Sequence, residues 1–205
     1  MAQWKWLFTS FVACLLLILP FSQMLEATTT REVFAKYPNK YFIETGSFYG
    51  DGIRKALDVG FKQIYSIELS PHFYQLCSEL FASHPNVKVL QGDSTDVLPV
   101  LLQQINAPAT FWLDGHYSWE NTARGKTNSP ILAELESIRN HHIKTHTILV
   151  DDVRQFGTVE FDFVTLDEII NKIKEINQNY IISFEDGFVA NDVLVATPPK
   201  RKRIK

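Results

Sequence analysis

YFIETGSFYGDG, Tyr41 to Gly52, is the stretch whose reading decides the fold. Tyr41-Phe42-Ile43 running into Glu44 reads as a buried strand. Gly46, Gly50 and Gly52 then open a loop, and a helical pattern follows through Ile53 and Leu57. Strand, glycine loop and helix in that order make a nucleotide-binding turn. Glycine lets the backbone come close to a ligand, and the helix N-terminus offers it unpaired N–H groups. An ordinary turn carries the same local signal, so the remainder of the chain has to decide.

Outward from this turn the pattern alternates. A short helix over Arg31–Lys36 precedes the strand. The helix after the loop runs to Val59 and stops at Gly60. Strands are expected at 63–69, 87–91, 110–113 and 147–150. Ser70-Pro71 opens a helix with Ser as N-cap and Pro in the first turn, placing Phe73, Leu76, Cys77, Leu80 and Phe81 on one face. Ser94 is expected to cap a helix over 96–105. Further helices are expected at 130–140 and 166–176, and closing strands at 180–184 and 192–196, joined around Gly187 and Asn191. Strand–helix alternation predicts α/β architecture, with helices on both faces of a mostly parallel sheet. The last two strands are joined too closely for a crossover, so they form an antiparallel hairpin.

The 205 residues suit one domain spanning 28–199, between a leader (1–27) and a basic tail (200–205). Net charge is −3; Lys5 and Glu26 cancel in the leader and the tail carries five positive charges, which leaves the body at −8. An acidic body argues against nucleic acid as the main partner. Trp6 to Phe21 is almost wholly apolar behind Lys5, which reads as a signal peptide cleaved near Leu25-Glu26-Ala27 or as a membrane anchor. Arg31, Lys36 and Lys40 would hold the body of an anchored chain in the cytosol; a start at Met24 would make it cytoplasmic without a leader. Cleavage would leave Cys77 as the sole cysteine, so no internal disulfide is expected.

From Tyr41 to Thr197 this organisation resembles the class I S-adenosylmethionine-dependent methyltransferases, a Rossmann-like fold of seven strands whose seventh is inserted antiparallel beside the fifth. Glu44-Thr45-Gly46-Ser47-Phe48-Tyr49-Gly50 stands where that family has E/D-x-G-x-G-x-G, with Phe48 in place of the second glycine. The nicotinamide fingerprint G-x-G-x-x-G is absent from the turn. The resemblance implies S-adenosylmethionine as cofactor, over Glu44, Gly46 and Gly50. Glu68, ending the second strand, is placed to accept both ribose hydroxyls. Asp93, with Ser94 beside it, would lie near the adenine amino group. A surface glutamate and a helix-terminal charge are the plain alternatives for Glu68 and Asp93.

Asp114 ends one apolar strand in Leu113-Asp114-Gly115-His116, and Asp151-Asp152 ends another after Leu149-Val150. Adjacent strands lie about 4.8 Å apart, so the three carboxylates converge and resist ionisation without a counter-ion. A hard divalent cation such as magnesium removes that conflict. The pattern is similar to metal-dependent O-methyltransferases, and most to the macrocin group, which methylates sugar hydroxyls with magnesium held by an L-D-G-x motif and a D-D pair. His116, two residues past Asp114, is expected as general base, beside the cation rather than on it. The polar loop 115–129, with Tyr117, Trp119, Arg124 and Lys126, is expected to close over a small hydroxylated or glycan acceptor. His141, His142 and His146 are expected at the surface of the opposite sheet edge. Two other readings stay open: a metal-independent methyltransferase of this fold, and a non-catalytic binding domain.

Overall fold

A computed structural model of the chain describes residues 31–119 and 122–200. Six α-helices and seven strands follow in the order α1 (Arg31–Lys36), β1 (Tyr41–Thr45), α2 (Asp51–Val59), β2 (Gln63–Glu68), α3 (Pro71–Leu80), β3 (Val87–Gln91), α4 (Ser94–Leu102), β4 (Ala109–Leu113), α5 (Ile131–Asn140), β5 (Thr147–Val150), α6 (Leu166–Ile176), β6 (Ile181–Glu185) and β7 (Val193–Thr197). Two single-turn 3-10 segments, Val153–Gln155 and Val159–Phe161, fill the connection after β5; no periodicity announces pieces that short.

The strands form one sheet in the order β3-β2-β1-β4-β5-β7-β6. All neighbouring pairs are parallel except those made by β7, which runs antiparallel to both β5 and β6. This is the Rossmann-like methyltransferase fold, with its reversed strand beside the fifth. Alternate residues of each central strand feed two separate cores. Ile43, Phe111, Leu113, Ile148 and Val150 pack with Leu98, Leu135, Ile138, Ile169 and Ile173 of α4, α5 and α6. Phe42, Ile64, Trp112 and Leu149 pack with Phe34, Ile53, Ala56 and Cys77 of α1, α2 and α3. Both faces are therefore covered, which is why β1, β4 and β5 read as unbroken apolar runs.

Local rules account for most boundaries. Gly60 ends α2 in the left-handed region (φ 87°), with its N–H on the carbonyls of Ala56 and Leu57. α6 opens with a full capping box between Thr165 and Glu168. Several expectations change, most bounds by one residue. The cap of α4 is Asp93, whose side chain accepts from the Thr95 N–H, so the helix starts at Ser94. Leu80, at the end of α3, is exposed rather than buried. The hairpin strands each begin one residue later than expected, because Tyr180 is fixed by its hydroxyl on the His146 carbonyl and Asp192 is held by Arg154.

Two of the three histidines expected at the surface are buried. Ala109 N–H donates to His146 Nδ1 at 3.0 Å, His146 Nε2 lies 2.8 Å from His141 Nδ1, and His141 Nε2 lies 3.1 Å from the Ile105 carbonyl. The chain of partners fixes one neutral tautomer for each ring, and burial pushes His146 down to about 3. They close the sheet edge remote from the strand carboxyl ends. No helix among the described residues is long and apolar enough to cross a membrane; the apolar leader and residues 201–205 of the tail lie outside the described residues.

Candidate active site

The register assembles the site. Thr45 pairs with Ile67 on one side and Leu113 on the other, and Leu113 pairs with Val150. The residues that follow, Gly46, Glu68, Asp114 and Asp151, therefore stand in one row along the carboxyl edge. Gly46, Glu68, Asp93, Ser94, Asp114 and His116 all line one cleft, and the loop after β4 forms part of its wall. Gly46 (φ 86°) is bare where the backbones meet: a Cβ there would fall 2.5 Å from the Asp114 carbonyl oxygen. No larger residue keeps this floor.

The expected cofactor residues separate into two groups. Glu68 faces the cleft, but three backbone N–H groups already reach it: Ser47 and Phe48 donate to Oε2 at 2.9 Å each, and Ser70 donates to Oε1 at 2.7 Å. A carboxylate has about four acceptor positions. One remains, enough for one ribose hydroxyl and not for the pair expected from the sequence. Glu68 is also the clamp that shapes the glycine loop. Asp93 lies at the other end of the cleft; burial works against its ionisation, and its bonds from Thr95 outweigh that and hold it below the ordinary carboxylate range. Ser94 is buried beside it.

Glu44 and Gly50 lie behind the loop, outside the lining of the cleft. Glu44 is 1 % exposed, accepts from the Ser66 hydroxyl, and is pushed up to about 8, chiefly by burial. Gly50 (φ 81°) is the cap position of α2 and packs toward Phe81 and Cys77. Both shape the turn from below.

The acids converge differently from the expected trio of Asp114, Asp151 and Asp152. Two groups form, each with donor atoms within 4.8 Å of one another: Asp114, His116 and Asp152, and Asp151, Asp152 and Asp192. In the first, His116 Nδ1 lies 3.6 Å from Asp114 Oδ1 and Nε2 lies 3.1 Å from Asp152 Oδ2. The ring thus sits between two carboxylates, not beside them. In the second, Arg154 places its guanidinium on Asp192 and 2.5 Å from Asp152 Oδ1, and its N–H donates to Asp192 Oδ1 at 3.0 Å. Burial, then Asp151 and Asp152, push the Asp114 carboxyl well up. Its side chain keeps 30 % of its surface open to the cleft, so water tempers that push. Burial, then Asp152, do the same to Asp151. Burial lowers His116.

Asp192 and Arg154 escaped the sequence reading. A signal for Asp192 was present: β7 runs backwards, so the residue just before it lies at the edge where the parallel strands end. Glu134 was missed too. It sits in the first turn of α5, 1 % exposed, and its Oε1 is one of the few buried side-chain atoms among the described residues without a hydrogen-bond partner. Burial pushes it up to about 7, against hydrogen bonds from Ser94 and Thr45.

The loop after β4 is tied at several points. Lys126 pairs with Asp96 at 2.8 Å. Tyr117 N–H donates to the Asn128 carbonyl, and the N–H groups of Asn128 and Ser129 donate to Asp162 Oδ2. Tyr117 and Lys126 line the cleft; Trp119 is exposed outside it, and Arg124 is absent from the lining.

No family model matches the chain, and no curated protein matches it. Solved structures do. An O-methyltransferase of Streptomyces achromogenes, TomG of tomaymycin synthesis, solved with S-adenosylmethionine, is 16 % identical over 82 % of this chain and 78 % of its own, with a TM-score of 0.54. The methyltransferase PaMTH1 of Podospora anserina, bound to S-adenosylhomocysteine, is 12 % identical over 83 % of this chain and 74 % of its own, with a TM-score of 0.52. A Clostridium thermocellum protein assigned as an rRNA methylase is 10 % identical over 82 % and 94 %, with a TM-score of 0.57. At such identities the likeness is one of fold.

Proposed function

We propose that the chain is an S-adenosylmethionine-dependent methyltransferase acting on a hydroxyl oxygen of a small molecule or sugar, with a divalent cation assisting. The observation that carries this reading is the single cleft in which Gly46, Glu68 and Asp93 stand beside Asp114 and His116. The bare floor at Gly46 and the remaining acceptor position on Glu68 fit the sulfonium nucleoside. Asp93, held ionised, fits an adenine amino group.

The donor set also fits a cation. His116 Nδ1 is buried without a hydrogen-bond partner and faces Asp114, whereas the acids around Asp192 already hold Arg154. Asp114 would hold it, with the His116 ring lying between that carboxylate and Asp152. A divalent cation supplies a Lewis acid that lowers the pKa of an acceptor hydroxyl and fixes its direction. Methyl transfer breaks the sulfonium C–S bond, returns its electron pair to sulfur as a thioether, forms the new O–C bond and gives the hydroxyl proton to water of the open cleft. The protein's part is alignment of sulfur, carbon and oxygen.

Labelled-methyl transfer from S-adenosylmethionine to a panel of sugar and catechol acceptors tests the proposal. The expected result is label on an acceptor oxygen, abolished by chelation and restored by a divalent cation. Transfer unaffected by exhaustive chelation would leave the metal-independent reading; cofactor binding with no transfer to any acceptor would favour a binding domain.

A further inference from the structure

We infer that His116 is itself a ligand of the cation, through Nδ1 and alongside Asp114, and that the site takes a first-row transition dication in preference to magnesium. The inference deepens the metal-assisted reading and rests on it for what the cation does; the ligand assignment stands on the geometry of the ring.

The ring is fixed. Its side chain is 7 % exposed and packs 4.9 Å, centroid to centroid, from the buried ring of Phe161. Nε2 has partners: Ser118 Oγ at 2.9 Å and Asp152 Oδ2 at 3.1 Å. Nδ1 has none. A neutral imidazole carries one proton. On Nε2 that proton meets Ser118 and the Asp152 carboxylate, and Nδ1 keeps its lone pair, 3.6 Å from Asp114 Oδ1. On Nδ1 it would be a buried donor without an acceptor, because 3.6 Å is too long for a hydrogen bond to Asp114. The same distance disfavours a doubly protonated ring bridging both carboxylates.

Two electron-rich atoms therefore lie 3.6 Å apart at the wall of the cleft. A cation between them converts that repulsion into attraction. Donor atoms of one cation each lie about 2.1 Å from it, so they are at most about 4.2 Å apart, and 3.6 Å is within this span. The other half of the ring completes the pattern, since a metal-bound imidazole characteristically gives its second N–H to a carboxylate. Here that carboxylate is Asp152, whose other oxygen is 2.5 Å from Arg154. Arg154 neutralises the far side of the acid cluster and leaves the cation position on the Asp114 side.

Ligand type then sets the metal. Magnesium takes oxygen donors, while imidazole nitrogen suits manganese less than cobalt or zinc, but all of these better than magnesium. The absence of a free nitrogen toward the cleft also removes His116 as a general base.

The test is pulsed electron paramagnetic resonance of the full chain loaded with Mn²⁺, with Mn²⁺ and Mg²⁺ affinities measured by competition. The expected result is one Mn²⁺ per chain, held at least about 10-fold more tightly than Mg²⁺, with ¹⁴N coupling from a directly bound nitrogen. His116→Gln should lose the coupling and weaken Mn²⁺ by more than the about 10- to 100-fold that loss of an outer partner costs; Asp114→Asn should weaken Mn²⁺ too. Bound Mn²⁺ without ¹⁴N coupling in the unaltered chain would overturn the inference and return His116 to the role of base. No Mn²⁺ binding would also overturn it. Calorimetry with S-adenosylmethionine on the same samples separates this from the wider reading: cofactor binding without Mn²⁺ sinks the ligand assignment alone, and nitrogen-coupled Mn²⁺ without cofactor binding sinks the methyltransferase alone.

Discussion

Phe48 holds φ 45°, the left-handed region, at the position where the motif of the methyltransferases it resembles has its second glycine. The sequence departs from the motif while the backbone keeps the conformation that a glycine would adopt. Strain of this kind costs about 1–3 kcal/mol, and two bonds hold it: the Glu68 carboxylate on the Phe48 N–H, and the Phe48 carbonyl on Cys77 Sγ. The ring packs against Tyr49 and Phe73. Glu134 carries a different signature. Its folded pKa, about 7, lies above the ordinary 4.5, so the fold favours the protonated form. Its stabilisation is full below 4.5 and is lost as pH rises through 7, the reverse of a salt-bridged acid. Glu134→Gln should therefore gain thermal stability relative to the unaltered chain as pH is raised from about 5 to about 8. A difference in Tm that stays constant across that range would contradict a buried, protonated Glu134.

At the scale of elements, the turn between β1 and α2 depends on one close approach. A Cβ on Gly52 would fall 1.7 Å from Glu44 Oε1, so the Glu44 carboxyl at the end of β1 fills the space that a side chain in the first turn of α2 would take. Gly52→Ala should destabilise the chain by about 1–3 kcal/mol through overpacking. In a Glu44→Ala background the same change should cost much less, and denaturant unfolding of the double-mutant cycle measures the difference. Equal costs in both backgrounds would mean that Glu44 is not the obstacle. This turn was legible in the sequence because glycine spacing and apolar runs are local signals. So were α1, β3, β5 and α6, found where periodicity placed them. The pairing of Arg154 with Asp192 and the burial of the histidines were not legible. Each depends on which strand lies beside which, and a residue's own neighbours in sequence carry no trace of that. His116 fell between: its offset from Asp114 was visible, but the direction of its nitrogens depends on Phe161 and Asp152, 45 and 36 positions away in the numbering.

Across the whole molecule the two sheet edges do opposite work. The edge remote from the site is closed by neutral histidines joining β4, β5 and the end of α5; the carboxyl edge is open and acidic. His146 titrates at 6.5 when unfolded and about 3 when folded. Its contribution to stability is full above 6.5 and is lost as pH falls toward 3. His146→Gln, which keeps an acceptor for the Ala109 N–H, should flatten the fall in Tm below about pH 6.5. An unchanged acid limb would place the sensitivity elsewhere. The carboxyl edge carries the central claim, that its cleft holds S-adenosylmethionine, and calorimetry tests that most directly. One molecule should bind per chain with micromolar affinity, S-adenosylhomocysteine should compete, and Glu68→Gln should lose about 1–3 kcal/mol. A folded chain that binds no S-adenosylmethionine, or that binds a nicotinamide dinucleotide more tightly, would contradict that claim.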